Sequence, residues 1–381
     1  MAAFTISKEE AGFVRYTRED GCRAWLTYGL LRAETVSSLL DEYGCAEAIY
    51  DRFVKTGTGF LEKRIRSAAV SALQEQASPQ RMHEMMLTMQ KLNIGILSLD
   101  DACYPDNLRD IPSPPALLFY RGNLDCLLGK CLTVVGSRKA SPAGIDTTHR
   151  ICRELSIAGV TIISGLAMGV DTAAHEGCIE GGSPTAAVLA TGIDVEYPIE
   201  NASLKESIIQ HDGVLLSEYP MGMRANKYIF PVRNRIMSGL GKATLMMESQ
   251  IRSGSILTVQ HALEQGRDVY AYPGIPGTEW AEGAHQLLRE GAIYFTDAND
   301  VLEDMGWVDA SPLPAMKQKK ELPPMSDEQR QIYTLLGRGE MSFDQLAAES
   351  ALPAPTLSAA LTMLQMMGLI KSMPGKTYCK V

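Results

Sequence analysis

The hydrophobic pattern changes character along the chain. Residues 1 to about 75 carry apolar positions at helical spacing, in LTYGLLRAETVSSLLDEYG and AEAIYDRFVKTG, punctuated by glycines. This predicts a small helical domain over 1–75. Residues 76–130 form a transition that holds HEMMLTMQKLNIGILSLDD and the turn-rich CYPDNLRDIPSPPALLFYRGN. From 131 onward, short apolar runs alternate with helical segments. CLTVVG (131–136), VTIIS (160–164), TAAVLA (185–190), VLLSEYP (214–220), ATLMMES (243–249) and DVYAYPG (268–274) read as strands.

Apolar strands alternating with helices predict a mostly parallel sheet covered on both faces. The fold class expected for 131–307 is therefore α/β, a Rossmann-like doubly wound domain. Residues 308–324, VDASPLPAMKQKKELPP, have linker composition. Residues 325–381 then read as helices followed by a hairpin in KSMPGKTYCKV. This predicts a winged helix with Pro355 to Met367 in the recognition-helix position.

Composition narrows the function classes. An apolar fraction of 45% with 21% charged residues fits a globular chain able to bury cores. No apolar stretch reaches the roughly 20 residues of a membrane helix, and the first residues are polar, so the expectation is a cytoplasmic protein that needs no membrane. The eight cysteines form no CxxC pair and the six histidines no HExxH pattern. Free buried thiols are expected, with no metal site and no cofactor.

Net charge is -9, yet Tyr219 to Met247 carries five bases, Arg224, Lys227, Arg233, Arg235 and Lys242, and no acid. Tyr228 and Phe230 interleave with them. Cations neutralise phosphates and rings stack on bases, so this segment suits a single-stranded nucleic acid. A solvated basic helix beside core aromatics fits the same residues.

In open α/β sheets, ligands bind beyond the carboxyl ends of the strands. Those ends hold Gly136-Ser137-Arg138, Ser164-Gly165, Tyr197-Pro198, Ser217-Glu218, Ser253-Gly254-Ser255 and Pro273-Gly274. Glycines and small hydroxyl residues let backbone N–H groups approach an anion. Two readings fit Arg138, a phosphate contact or an ion pair on the rim. Ser253-Gly254-Ser255 suits a helix cap and a phosphate site equally. Asp171 and His175, four apart on one helix, can bond each other or cap loops. No G-x-G-x-x-G follows the first strand and no G-x-x-x-x-G-K-[ST] exists, which argues against a dinucleotide cofactor and an NTPase. No GxSxG elbow supports a serine triad.

VVGSR (134–138), SGLAMGVDTAAH (164–175), TGIDVEYP (191–198), LLSEYP (215–220), FPVRNRIMSGL (230–240), RSGSILT (252–258) and GRDVYAYPG (266–274) together resemble the DprA/Smf family, the DNA-processing proteins of bacterial natural transformation. The resemblance covers about residues 100–300. The flanks fit its layout of an N-terminal helical, SAM-like domain and a C-terminal winged helix. The resemblance implies a homodimer, joined through the Rossmann-like domain, that binds single-stranded DNA. It implies loading of RecA recombinase onto the strand with displacement of single-strand-binding protein, and no catalysis. The DNA-binding residues it implies are Gly136, Ser137, Arg138, Ser164, Gly165, Lys227, Tyr228, Phe230, Arg233, Asn234, Arg235, Ser253, Gly254 and Ser255. Met168 stands where many relatives have lysine, and His285 where relatives have asparagine.

Residues 321–381 hold five bases against six acids, and PTLSAALTMLQMM carries no cation. A groove-reading helix brings cations, so protein contact or auxiliary DNA contact is expected of this module. A competing expectation is an enzyme of the lysine-decarboxylase-like phosphoribohydrolase type, whose PGGxGTxxE motif PGIPGTEWAE (273–282) approaches. Ile275 replaces a glycine there and Ala281 the catalytic glutamate, with Glu279 and Glu282 out of register. A transcription regulator with a nucleotide-sensing domain is a third reading.

Overall fold

The computed structural model describes residues 16–307, 325–336, 341–350, 352–367, 369–373 and 377–380. The chain divides into two compact units, Met1–Val308 and Asp309–Val381. The linker expected over 308–324 lies outside the described residues.

In the first unit, helices α1 (Arg18–Thr27), α2 (Ala33–Tyr43), α3 (Ala46–Thr56) and α4 (Ser67–Gln76) pack around Trp25, Leu39, Ile49 and Leu73, in a core that Ala116 and Leu117 also enter. The Trp25 ring packs edge-on against Tyr50 and Phe53, and its indole N–H donates to the Leu73 carbonyl at 2.9 Å. Helix α5 (Pro79–Leu92) then leads to β1 (Gly95–Ser98), and the short helix α6 (Asp106–Arg109) to β2 (Leu117–Gly122).

The six strands expected from the apolar runs are β3 (Lys130–Val135), β4 (Val160–Ser164), β5 (Thr185–Val188), β6 (Val214–Ser217), β7 (Ala243–Met246) and β8 (Asp268–Ala271). With β9 (Ile293–Tyr294) they form one sheet in the order β1-β2-β6-β5-β4-β3-β7-β8-β9. β3 to β9 run parallel; β2 joins β6 antiparallel and β1 joins β2 antiparallel. The segment read as a transition thus supplies two sheet strands. Its apolar runs, GILS and LLFY, are too short to separate from helix or loop by period alone.

Side chains alternate across the sheet. Cys131 and Val135 enter one core, while Leu132 and Val134 enter the other. The second core is built with α7 (Pro142–Ile157), α8 (Val170–Gly181) and, further along the chain, α13 (Ala298–Asp304). Helix α9 (Ala202–Gln210) packs its Leu204 and Ile208 with Met85, Met89 and Phe119. The first core receives α10 (Ile229–Leu240), α11 (Gly254–Glu264) and α12 (Glu282–Arg289) through Ile236, Val259 and Leu287. The chain winds from β3 outward through β4, β5 and β6, then returns to lay β7 on the other side of β3. That reversal opens a crevice at the carboxyl ends of β3 and β7.

The runs read as strands to 190, 220 and 249 leave the sheet early, at Val188, Ser217 and Met246. Their last residues form the turns around the crevice.

The second unit has helices α14 (Asp327–Leu335), α15 (Phe343–Ser350) and α16 (Ala354–Met366). A sheet of β10 (Met341–Ser342), β11 (Ile370–Met373) and β12 (Thr377–Lys380) is ordered β10-β12-β11. Helix α16 buries Leu357, Ala360, Leu361 and Leu364, one stripe at helical spacing. Its outward residues Thr356, Ser358, Ala359, Thr362, Met363 and Met366 are exposed and uncharged.

Candidate nucleic-acid interface

A cleft of about 710 Å³ lies at the carboxyl ends of β3 and β7, with α10 along one side. Three stretches of chain, each positioned by a local device, supply most of its walls, and Ala167, Asp171 and Tyr197 complete them.

The first is Gly136-Ser137-Arg138-Lys139, directly after β3. A Cβ on Gly136 would stand 2.6 Å from Val170 Cγ2 and 2.9 Å from the Glu248 carbonyl, so only glycine lets this turn lie against α8 and the end of β7. The Ser137 N–H donates to that same carbonyl at 2.7 Å, and the Ser137 hydroxyl accepts from the Lys139 N–H at 3.0 Å. Arg138 is held with its guanidinium carbon 4.6 Å from the Phe230 ring centroid. Among the described residues it has no ion-pair partner, so its charge faces the cleft and not a rim carboxylate.

The second is Ser253-Gly254-Ser255, where α11 begins. The Ser253 hydroxyl accepts from the Ser255 N–H at 3.3 Å and caps the helix. The three hydroxyls of Ser249, Ser253 and Ser255 are linked at 2.8 and 3.0 Å. This turn both caps α11 and lines the cleft.

The third is Lys227 and the cleft side of α10, Phe230, Arg233 and Asn234. Asn234 ties the helix to the second turn, its amide donating to the Gly254 carbonyl at 3.3 Å, and its carbonyl oxygen accepts from Arg233 Nε at 3.2 Å. Arg233 is 3% exposed. Its guanidinium donates to the carbonyl of Gly165 at 3.0 Å and to that of Val188, gathering the ends of β4 and β5 beneath the cleft. A Cβ on Gly165 would sit 2.5 Å from that guanidinium, so the glycine makes its place. Burial pulls the Arg233 pKa down to about 10 and Asp171 opposes that fall, which leaves the group charged at neutral pH. The buried Asp171 carboxylate accepts from the N–H groups of Gly165 and Ala167 at 3.2 and 3.3 Å. Burial raises its pKa and Arg233 lowers it.

The structure therefore gathers Gly136, Ser137, Arg138, Lys227, Phe230, Arg233, Asn234, Ser253, Gly254 and Ser255 around one cleft. Four of the residues expected there lie elsewhere. Ser164 is fully buried and its hydroxyl donates to the Val134 carbonyl at 2.7 Å, because its β4 position points into the sheet's packing layer. Gly165 lines an adjoining recess. Tyr228 is 73% exposed outside the lining, with Lys227 Nζ 5.1 Å from its ring centroid. Arg235 turns to the opposite side of α10 and pairs with Glu218 at 2.7 Å, because residues two apart on a helix face apart.

Asp171 and His175 do not bond each other. His175 is fully buried with Nδ1 2.7 Å from the Thr185 hydroxyl. Burial, then Arg233, push its pKa down to about 3. It is neutral near pH 7 and outside the cleft lining, so it offers no proton transfer there.

Sequence reasoning missed Lys139, Asn226 and Gln250, which also line the cleft. Lys139 continues the strand-end turn past Arg138, and following that turn one residue further finds it. Lys139 joins Arg138, Lys227 and Arg233 as the cations of the lining, against the single acid Asp171. The residues that approach a hydrolase motif lie off this lining. Ala281 is buried, Glu282 opens α12, and Glu279 accepts from Gln250 Nε2 at 2.6 Å. Among the described residues no cluster of histidine, cysteine or carboxylate side chains suits a metal ion.

The family model for DNA recombination-mediator protein A matches residues 95–306, and that for the DprA winged helix domain matches 316–376. Protein Smf of Synechocystis is 34% identical over 322 residues, covering 76% of this chain and 81% of that protein. The crystal structure of DNA processing protein A from Streptococcus pneumoniae superposes with a TM-score of 0.63 at 32% identity, over 76% of this chain and 99% of that one. DNA processing protein A from Helicobacter pylori, solved for its single-stranded DNA binding mode, shares the fold with a TM-score of 0.50 at 24% identity, over 55% of this chain and 95% of that one. With a matched model spanning more than half its length and the strand-end motifs gathered at one cleft, this chain belongs to the DprA/Smf family of DNA recombination mediators.

Proposed function

We propose that the cleft binds single-stranded DNA and that the chain passes the bound strand to RecA recombinase. The observation that carries this reading is the gathering of Arg138, Lys139 and Lys227 with Phe230 in one cleft, the Arg138 guanidinium carbon lying over that ring. Phosphates take the cations and a base takes the ring. The one acid of the lining is held by backbone N–H groups and attracted by Arg233. A duplex binds more weakly, because its bases are already stacked and paired.

On this reading the protein is a binding protein without catalysis or cofactor, working in the cytoplasm and displacing single-strand-binding protein. Among the described residues no helix is long and apolar enough to cross a membrane. It acts as a homodimer through the sheet unit. The exposed Ile251 and Leu263, with Ile256 and Leu287 in the groove between them, are the surface we give to the second copy. The uncharged outer face of α16 is given to protein contact.

The test is binding of fluorescent oligo-dT and of the matching duplex across a salt series, with wild type and Arg138→Ala. Preference for the single strand is expected, with log affinity falling by about 0.7 per phosphate neutralised for each unit of log salt. Arg138→Ala loses about 1–3 kcal/mol of binding, roughly 5- to 150-fold, with the melting temperature unchanged. Equal binding of duplex and single strand, or an unaffected Arg138→Ala, overturns the assignment.

A further inference from the structure

Away from the cleft, the helical part of the first unit carries a second concentration of positive charge. Residues 52–66 hold five bases, Arg52, Lys55, Lys63, Arg64 and Arg66, against one acid, Glu62, in a chain of net charge -9. All five are exposed, and none lines the cleft.

A local device gathers them. Helix α3 ends at Gly57, whose N–H donates to the Phe53 carbonyl at 3.0 Å and whose φ of 75° turns the chain back. The return brings Phe60 edge-on against Tyr43 of α2, with ring centroids 5.5 Å apart. Arg52 of α3 covers both rings, its guanidinium carbon 5.1 Å from each centroid. Arg64 reaches the same place and pairs with Glu42, next to Tyr43, at 2.5 Å. Lys55 follows Arg52 by three residues, on the same face of α3. Lys63 and Arg66 flank Arg64 on the turn before α4.

Three neighbouring acids are already engaged. Glu62 accepts from the Thr58 hydroxyl, Asp51 pairs with Arg18 at 2.6 Å, and Glu42 holds Arg64. Among the described residues Arg52, Lys55, Lys63 and Arg66 form no ion pair. Their charge is left for something outside the chain, and a concentrated patch attracts a polyanion despite an acidic whole.

We propose that this patch is a second nucleic-acid contact, which holds the phosphate backbone of DNA outside the cleft, single-stranded or duplex. The inference rests on the single-stranded DNA reading of the cleft, which brings long polyanions to the same unit. Arg52 occupies the faces of both rings, so the patch offers cations and no free platform for a base. It therefore takes phosphates without regard to strandedness, unlike the cleft. An acidic protein surface fits less well. The one large apolar side chain exposed in this segment, Val54, stands without the apolar centre that a protein interface is built around.

The test titrates the full chain across a salt series with three fluorescent ligands: an oligo-dT of about 6 nucleotides, one of about 40, and a duplex of about 20 base pairs. Wild type is compared with Lys55→Gln/Lys63→Gln/Arg66→Gln and with the charge-retaining Lys55→Arg/Lys63→Arg/Arg66→Lys. The glutamine variant is expected to bind the long strand and the duplex roughly 10- to 100-fold more weakly, with salt slopes shallower by about 2 and about 2.7. It should bind the short strand, which only the cleft holds, within about twofold of wild type, and the charge-retaining variant should restore the rest. Unchanged slopes on the long strand and the duplex in the folded glutamine variant overturn the inference and give the patch to an acidic protein. Equal losses on all three ligands overturn it too, because the patch is then not separate from the cleft. Both outcomes leave the cleft reading to Arg138→Ala and the short strand. If the short strand does not bind while the duplex loss is seen, the cleft reading fails and the patch stands.

Discussion

The two sides of α10 carry the same residue types and have different fates. On the cleft side, Phe230 has the Arg138 guanidinium carbon over its ring and Lys227 opens to solvent. On the other side, Val232 and Arg235 face α1, α2 and the Ala116–Leu117 segment, where Arg235 is spent on Glu218. Between them Arg233 points down and holds carbonyls. A segment rich in bases is therefore three things at once: a cleft lining, a brace and an ion pair. A count of cations overstates the charge available to a ligand, and burial and pairing decide what remains.

The strongest way to break this comparison is at Arg233. Arg233→Met leaves the carbonyls of Gly165 and Val188 without their donor and Asp171 without its counter-charge. A loss of about 3–5 kcal/mol of stability is expected in urea unfolding, since one member of a buried charged group is removed. DNA affinity falls only as far as the fold does. A stable variant with a large binding defect would make Arg233 a ligand contact instead of a brace.

The same buried layer predicts an acid limb. The folded His175 pKa of about 3 lies below its ordinary 6.5, so the unfolded chain binds the extra proton. Its contribution is complete above about pH 6.5 and is lost as pH falls toward 3, amounting to about 3 kcal/mol by pH 4. Urea unfolding of wild type and His175→Asn between pH 4 and 7 checks this. The variant's stability should depend less on pH by that amount, and parallel curves would remove His175 from the account.

On the far side of α10, Arg235→Ala is expected to cost about 1–3 kcal/mol of stability, because the pair is largely shielded from water and Glu218 loses its charged donor. Its DNA affinity should stay within about twofold of wild type, with an unchanged salt slope, since it removes no phosphate contact. A slope reduced by about 0.7 would return Arg235 to the DNA surface and erase the distinction between the two sides.

How much of the molecule is legible in the sequence follows from which signals are local. The apolar runs of β3 to β8 announce buried parallel strands because a strand covered on both faces has no polar side to show. The glycines after those strands announce close approach, and Gly136 is enforced by Val170 and Glu248. The strands β1 and β2 are not legible, because four to six apolar residues fit several structures until a neighbouring strand selects one. Proximity in sequence puts Ser164 and Arg235 at the cleft, and the structure does not. A one-residue step on a strand or a two-residue step on a helix turns a side chain to another face.

The sequence by itself determined the sheet-and-helix order, the turns at the strand ends, the concentration of bases before β7 and the uncharged recognition-position helix. These are properties of short windows, set by side-chain period, glycine and charge. Only the tertiary structure decided that Arg138 lies on Phe230, that Arg233 is a brace and that Arg235 is paired. Those contacts join residues about 45 to 90 positions apart, except for the nearer Arg235–Glu218 pair. They exist because the doubly wound sheet brings the carboxyl ends of its strands to one edge, where nothing in the local pattern records which groups will meet.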